Sequence, residues 1–202
     1  MKEGPILFSG PMVRAILEDR KTQTRRVLTP QPATSWMEGI QVPLDWSQYY
    51  KGGKKHLWIP YPEDIHKEII CRYGAPGDRL WVRETFCQPV YAGGKPTVTS
   101  YRATDPLPNT RIKWKPSIFM PRSASRITLE IKGIRVERLQ DISEEDAKAE
   151  GVATAIAGVS PSGLTRTYRT GFVGGWNHIN AKRGFGWDVN PWVWVIEFQR
   201  VH

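Results

Sequence analysis

The sequence is short of cysteine, histidine and long apolar runs, and each shortage argues against a class of protein. Its two cysteines, Cys71 and Cys87, lack the CxxC spacing of zinc and redox sites. No apolar run has the length of a membrane span, and Met1–Pro5 lacks the apolar segment of a secretory signal. We therefore expect a cytoplasmic protein with reduced, partly buried thiols, no membrane contact and no cofactor. No metal site is expected either, because the four histidines show no ligand spacing: His56, His66, His178 and His202.

Acidic residues are also in deficit. The chain has 20 Asp and Glu against 29 Lys and Arg, so its formal net charge is +9 and its pI is near 9.7. Such an excess of cations favours an anionic partner, and nucleic acid is the leading candidate. With 202 residues, 40% of them hydrophobic and 24% charged, the chain is predicted to form one globular domain over residues 1–202.

The segment from Pro11 to Arg26 is predicted to start as a helix and to end as a cluster of polar side chains. Val13, Ile16 and Leu17 recur with the spacing of one helix face, and Pro11 suits a first helical turn. The apolar residues then stop, and six polar residues follow: Lys21, Thr22, Gln23, Thr24, Arg25 and Arg26.

The backbone of this polar run decides which of its side chains face the same way. Lys21 and Thr24 share a face if the chain still turns helically, whereas Thr22 and Thr24 share one if it is extended. The run could instead be a solvated helix end, since cations favour the negative pole of the helix dipole.

Several short strands and two short helices without a βαβ rhythm predict an α+β fold, a small twisted β-barrel with flanking helices. The best strand is 127–139, in which Gly133 marks a bulge or bend, and 192–198 is apolar enough to be covered on both faces. Ser143 is predicted to cap a helix that ends at Glu150 and Gly151. A loop-rich insertion or lid is expected at about 30–71, a hairpin at 90–102 and a flexible loop at about 152–173.

Two charged positions contradict their local environment and are therefore candidates for function. Glu150 stands at the C-terminal end of its helix, where the dipole disfavours a carboxylate. Arg83 and Glu84 lie within a predicted strand, so either the strand is at an edge or one of the charges points into a polar pocket.

The combined pattern resembles the ASCH family of PUA-like β-barrels, and in particular its phage- and prophage-encoded members. The matching segments span nearly the whole chain and are residues 5–9 with 11–13, 20–26, 76–84, 136–146 and 190–198. The resemblance implies a small PUA-like mixed β-barrel that binds nucleic acid, with RNA favoured, or a modified nucleoside in a cleft beside the barrel. It also implies a bacterial host cell.

Small bacterial members of this family hydrolyse the amide of N4-acetylcytidine with a lysine, a threonine and a glutamate. The resemblance implies that these residues are Lys21, Thr24 and Glu150 here. Thr24 would attack the acyl carbon, neutral Lys21 would take its proton, and Glu150 would protonate the leaving amine or position water. Six further residues are expected to bind the substrate, its phosphate or the oxyanion: Thr22, Arg25, Arg26, Trp81, Arg83 and Arg122.

Three alternatives remain open at this stage. A lysine with a pKa near ~10.4 is a poor base, so Lys21 could instead stay protonated as an oxyanion donor while Glu150 activates water. The same cations could grip phosphate in a non-catalytic RNA- or DNA-binding module, with Trp81 or Trp36 stacking on a base. A metal-independent ribonuclease would use Glu150 as its base.

Overall fold

The computed structural model describes residues 1–31, 50–51, 54–60, 66–87, 99–105, 113–160 and 163–201. The helices are α1 (Gly10–Leu17), α2 (Glu144–Ala149) and α3 (Tyr168–Asn180). The strands are β1 (Glu3–Leu7), β2 (Gln23–Val27), β3 (Tyr50–Lys51), β4 (Lys54–Pro60), β5 (His66–Ile70), β6 (Arg79–Arg83), β7 (Phe86–Cys87), β8 (Ser100–Tyr101), β9 (Thr128–Arg138), β10 (Ala155–Ser160), β11 (Gly163–Thr167) and β12 (Trp192–Val201).

The main sheet has five strands in the order β1-β6-β9-β12-β2. β1 runs parallel to β6, and the other neighbours are antiparallel. Smaller sheets are formed by β3-β4-β5, β7-β8 and β10-β11. The fold is therefore mixed α/β with a multi-stranded sheet and few helices. In the described part of the chain, the two outer strands of the main sheet do not pair with each other, so the sheet is not closed into a barrel.

The core lies on both faces of the main sheet, and β12 contributes to both. Trp194, Ile196 and Phe198 pack into the larger cluster, which also takes Val13 and Ile16 of α1. Val193 and Val195 point the other way, into a second cluster with α2 and α3. This confirms the prediction that 192–198 is a strand covered on both faces, because alternate side chains leave opposite faces of a strand.

The long strand and the second helix also follow their sequence signals. A register shift opposite the step from Glu197 to Phe198 places a β-bulge beside Gly133, as the glycine predicted. The Ser143 side chain accepts a hydrogen bond from the Asp146 amide at 3.0 Å, so it caps α2 as expected. Gly151 follows the helix with a φ of +73°, a conformation that glycine adopts without strain.

Two segments contain more regular structure than was predicted. The expected flexible loop at 152–173 forms the hairpin β10-β11 and the start of α3, a helix of thirteen residues. Small residues such as glycine and threonine suggested mobility, but tertiary packing overrides such weak local preferences. The expected loop-rich insertion at 30–71 contains β3, β4 and β5. The predicted hairpin at 90–102 lies largely outside the described residues.

Cys71 and Cys87 are both buried. Glu84 is the charged residue that points inward near the end of β6, with 2% of its surface exposed. No helix in the described ranges combines the length and apolar character that crossing a membrane requires.

Candidate active site

Lys21 and Glu150, 129 residues apart in the sequence, are in direct contact. The Lys21 ammonium donates hydrogen bonds to the Glu150 carboxylate oxygen Oε2 at 2.7 Å and to the Glu150 backbone carbonyl at 2.8 Å. The Lys21 side chain is 0% exposed and the Glu150 side chain 5%. The structure thus brings a buried amine and a buried carboxylate together where the sequence analysis expected them.

The ends of two helices bring this pair together. After α1, Asp19 adopts a φ of +54°, and the amides of Arg20 and Lys21 both donate to the Ala15 carbonyl. Asp is among the few residues that tolerate this left-handed conformation. The turn directs Lys21 toward the C-terminal end of α2, where the two backbones form an isolated β-bridge.

Gly151 allows these two helix ends to approach. A Cβ atom at this position would lie 2.7 Å from the Lys21 Cβ and 2.8 Å from the Ala15 Cβ. Both distances are shorter than side chains tolerate, and the φ of Gly151 is itself unfavourable for other residues. Gly151 therefore has a role beyond ending α2, because it lets Lys21 pack against the helix end.

Arg25 binds the second oxygen of the Glu150 carboxylate. Its Nη1 lies 3.2 Å from Glu150 Oε1, and its Nη2 lies 3.0 Å from Asp146 Oδ2. The guanidinium also pairs with Glu137 through Nε at 3.0 Å and through Nη2. With 0% of its side chain exposed and three carboxylates bound, Arg25 positions Glu150.

A larger network extends from Arg25 to the surface. Arg135 donates to both Asp146 oxygens at 3.1 and 3.0 Å and also pairs with Glu137 and Glu197. Burial acts to raise the pKa of Asp146, but the charges of Arg25 and Arg135 and hydrogen bonds from Gln23 and Arg25 outweigh it, so this pKa is lowered. The network therefore holds the Asp146 carboxyl in its ionised form.

Burial lowers the pKa of Lys21 below the ordinary lysine value, since desolvation penalises the charged form. The charge and hydrogen bond of Glu150 act in the opposite direction, whereas the charges of Arg26 and Arg25 add to the lowering. The sequence alone did not decide which of these opposing effects on the pKa of Lys21 is larger. In the structure the desolvation of Lys21 and the charges of the two arginines together outweigh the effect of its counter-ion.

Thr24 and Arg26 lie on the α1 face of the sheet. Thr24 pairs with Ile196 and Arg26 with Trp194, so both side chains share a face with the larger core cluster. Arg26 lies 5.2 Å from the centre of the Phe8 ring, and the Lys21 ammonium lies 5.6 Å from the same centre. Lys21 and Arg26 thus converge on one aromatic ring.

The Thr24 side chain is buried, with the residue 3% exposed. In the described part of the chain, no hydrogen bond or ion pair joins Thr24 to Lys21 or Glu150. The Thr22 residue is exposed. It contacts the end of α2 through its backbone, since its amide donates a hydrogen bond to the Ala149 carbonyl at 2.9 Å.

The other expected binding residues lie elsewhere. Arg83 stacks on Trp81 at 5.2 Å and donates to the backbone carbonyls of Ile118 and Met120. Arg122 is exposed and forms a two-fold ion pair with Glu3. These three residues belong to a surface formed by β6 and the turns at 117–124, and no described contact connects them to Lys21.

Sequence reasoning missed several residues around the pair: Phe8, Asp146, Glu137 and Arg135. The alternation of Glu137 with apolar neighbours in β9 was a usable signal, because a carboxylate on a strand face covered by helices needs a cation. Phe8 offered no comparable signal, since its role depends on the chain turning back toward it.

Comparison with known proteins gives no match to a protein family model, to a curated protein or to a solved structure.

Proposed function

We propose that this protein is a PUA-like protein of the ASCH type that binds RNA or a modified nucleoside and hydrolyses an amide on the nucleobase, as in N4-acetylcytidine. The observation that supports this most is the buried Lys21–Glu150 pair at 2.7 Å, in which burial lowers the pKa of the lysine. A buried amine with a lowered pKa is a suitable general base.

The proposed reaction begins with attack by Thr24 Oγ1 on the acetyl carbonyl carbon, while neutral Lys21 Nζ takes the hydroxyl proton. The tetrahedral intermediate then collapses, the bond to the exocyclic nitrogen breaks, and a proton from Glu150 gives the free amine. Water next attacks the acyl-threonine ester and gives one proton to the Glu150 carboxylate. The ester bond to Thr24 then breaks, the Lys21 ammonium returns a proton to Thr24 Oγ1, and acetic acid leaves. The neutral amine and protonated carboxyl hold the same number of protons as the ion pair, so the starting state needs no proton from solvent.

The substrate must approach from the Phe8 side of the sheet. Thr24 and Arg26 face that side, whereas Arg25 reaches Glu150 from the α2 and α3 side. Arg26 is the cation best placed to stabilise the oxyanion, since Arg25 is fully occupied by three carboxylates.

One contact supports the barrel-like part of the proposal. Arg26 of β2 donates through Nη2 to the Leu7 carbonyl of β1 at 2.7 Å. β1 and β2 are the opposite outer strands of the main sheet, so the sheet must curl to bring them within reach of one side chain.

The test is to incubate the protein with N4-acetylcytidine and to measure released cytidine by chromatography. We expect turnover by the wild type, none by Lys21→Ala or Glu150→Gln, and normal turnover by Lys132→Ala, an exposed lysine of β9. Loss of turnover in Thr24→Ala would support attack by the threonine, whereas residual turnover would favour water activated by Glu150. No cytidine from the folded wild type would contradict the proposal.

A non-catalytic RNA-binding module is the second candidate. The observation that favours it is the complete burial of the Lys21 side chain, whose bonds to Glu150 have the form of a structural ion pair. Such a module would shift RNA in a gel, lose affinity steeply with salt and release no product.

A further inference from the structure

A cavity of about 320 Å³ lies at the start of α1. Its polar lining comes from three parts of the chain: Ser9 and Arg14 from the helix region, Glu84 and Thr85 from the end of β6, and Arg102. The volume is at the lower end of the range of small-molecule sites. The cavity is separate from the Lys21–Glu150 pair, which lies beyond the opposite end of α1.

The two arginines that line this cavity, Arg14 and Arg102, are both exposed. Arg14 Nη1 donates to the Ala103 carbonyl at 3.0 Å. Neither Arg14 nor Arg102 forms an ion pair with a carboxylate in the described ranges, whereas Arg25, Arg126 and Arg135 each do. Two guanidiniums without counter-ions at one cavity favour an anionic ligand.

The carboxylate in the cavity wall is already neutralised. Glu84, 2% exposed, accepts hydrogen bonds from Arg126 Nε at 2.9 Å and Nη2 at 3.1 Å. The Arg126 guanidinium in turn stacks on the Tyr101 ring at 3.9 Å. Glu84 therefore does not cancel the charges of Arg14 and Arg102.

Ser9 adds hydrogen-bonding capacity. It occupies the N-cap position of α1, yet its side chain makes no capping hydrogen bond. Its hydroxyl and the amide of Gly10 thus remain available to a ligand at this end of the cavity, whereas Pro11 has no amide hydrogen and the Val13 amide donates to the Ser9 carbonyl. The positive pole of the helix dipole adds to the charge of the arginines there.

We infer that this cavity is a phosphate subsite and that the ligand of the protein is a nucleotide or an RNA strand rather than a free nucleoside. The choice of a nucleotide rests on the proposed function, whereas the requirement for an anion rests on the cavity alone. An α1 of eight residues separates the two sites by about 12 Å along the helix. A ligand that occupies both sites must extend from the base to a phosphate.

The inference is tested by calorimetric titration with cytidine 5′-monophosphate, cytidine and inorganic phosphate. We expect the nucleotide to bind about tenfold more tightly than cytidine, as a charge-assisted contact to phosphate would provide. Arg102→Gln and Arg14→Gln should remove most of this preference and leave the affinity for cytidine unchanged. Arg20→Gln, an exposed arginine at the other end of α1, is the matched control and should keep the preference.

The remaining outcomes are decisive. Equal affinity for nucleotide and nucleoside, or an unchanged preference in Arg102→Gln, would overturn the inference, as would inorganic phosphate that binds as tightly as the nucleotide. A wild type that prefers the nucleotide but never deacetylates refutes the proposed function and leaves the subsite in place.

Discussion

Replacing Glu150 by glutamine should destabilise the protein in a way that depends on pH. The substitution removes the carboxylate charge beside the buried Lys21 ammonium, while the backbone carbonyl of residue 150 still accepts its hydrogen bond. Removing one partner of a buried ion pair typically costs about 3–5 kcal/mol, because the other charge is left uncompensated. Lys21 can remove this uncompensated charge only by releasing its proton.

The free energy needed to release this proton sets an upper limit to the stability that the unpaired lysine can cost. Deprotonating a lysine of pKa ~10.4 at pH 7 takes about 4.6 kcal/mol, so the part of the loss of unfolding free energy that comes from the unpaired Lys21 charge cannot exceed this value. The native pKa of Lys21 lies below that of the unfolded chain, and glutamine lowers it further by removing the favourable charge. Between the native pKa values of variant and wild type, the loss shrinks by about 1.4 kcal/mol per pH unit. Above the wild-type value this part of the loss vanishes, and only the loss of the carboxylate charge beside Arg25 remains.

The assay is urea denaturation of both proteins at several pH values between 7 and about 10. Glu145→Gln is the matched control, because Glu145 is exposed on the same helix. The double variant Lys21→Met with Glu150→Gln should recover part of the stability, since it removes both charges. A loss that is independent of pH, or no larger than that of Glu145→Gln, would refute this reasoning.

Three further predictions follow from the geometry around the pair. Gly151→Ala should lose about 2 kcal/mol of unfolding free energy through its positive φ and its contacts with Lys21 and Ala15, whereas Gly158→Ala, with open space around it, should lose much less. Arg25→Gln should lose about 3 kcal/mol because three buried or half-buried carboxylates lose their shared cation, and urea midpoints would measure it. The lowered pKa of Asp146 contributes stability above its unfolded value of 3.8 that disappears as the pH falls through the native value, so Asp146→Asn should flatten acid unfolding measured by circular dichroism.

Local signals predicted the elements that frame the site. The cap at Ser143, the glycine at 151 and the apolar run of β12 each specify structure within a few residues, and all three were confirmed. The pairing of Lys21 with Glu150 came instead from a family resemblance. No property of the two segments, taken separately, requires them to meet.

The rest could not be predicted because it depends on long-range packing. Arg25 has the same side chain as its neighbour Arg26, yet one is enclosed by three carboxylates and the other lies against Phe8. Successive residues of a strand face opposite sides, so their environments depend on what covers each side. The helices α2 and α3 that enclose Arg25 lie more than a hundred residues away in the chain.

The protonation of Lys21 connects the fold with the proposed chemistry. The ends of α1 and α2 and the Glu150 carboxylate favour the ammonium, and each helix end contributes about 0.3–1 kcal/mol. Complete burial acts in the opposite direction and is the largest single influence on the pKa of Lys21, which it lowers. The pH above which the loss in Glu150→Gln stops shrinking therefore measures how close the lysine is to being neutral. A value near 8 makes Lys21 a base, and a value near 10 leaves it only the role of an oxyanion donor.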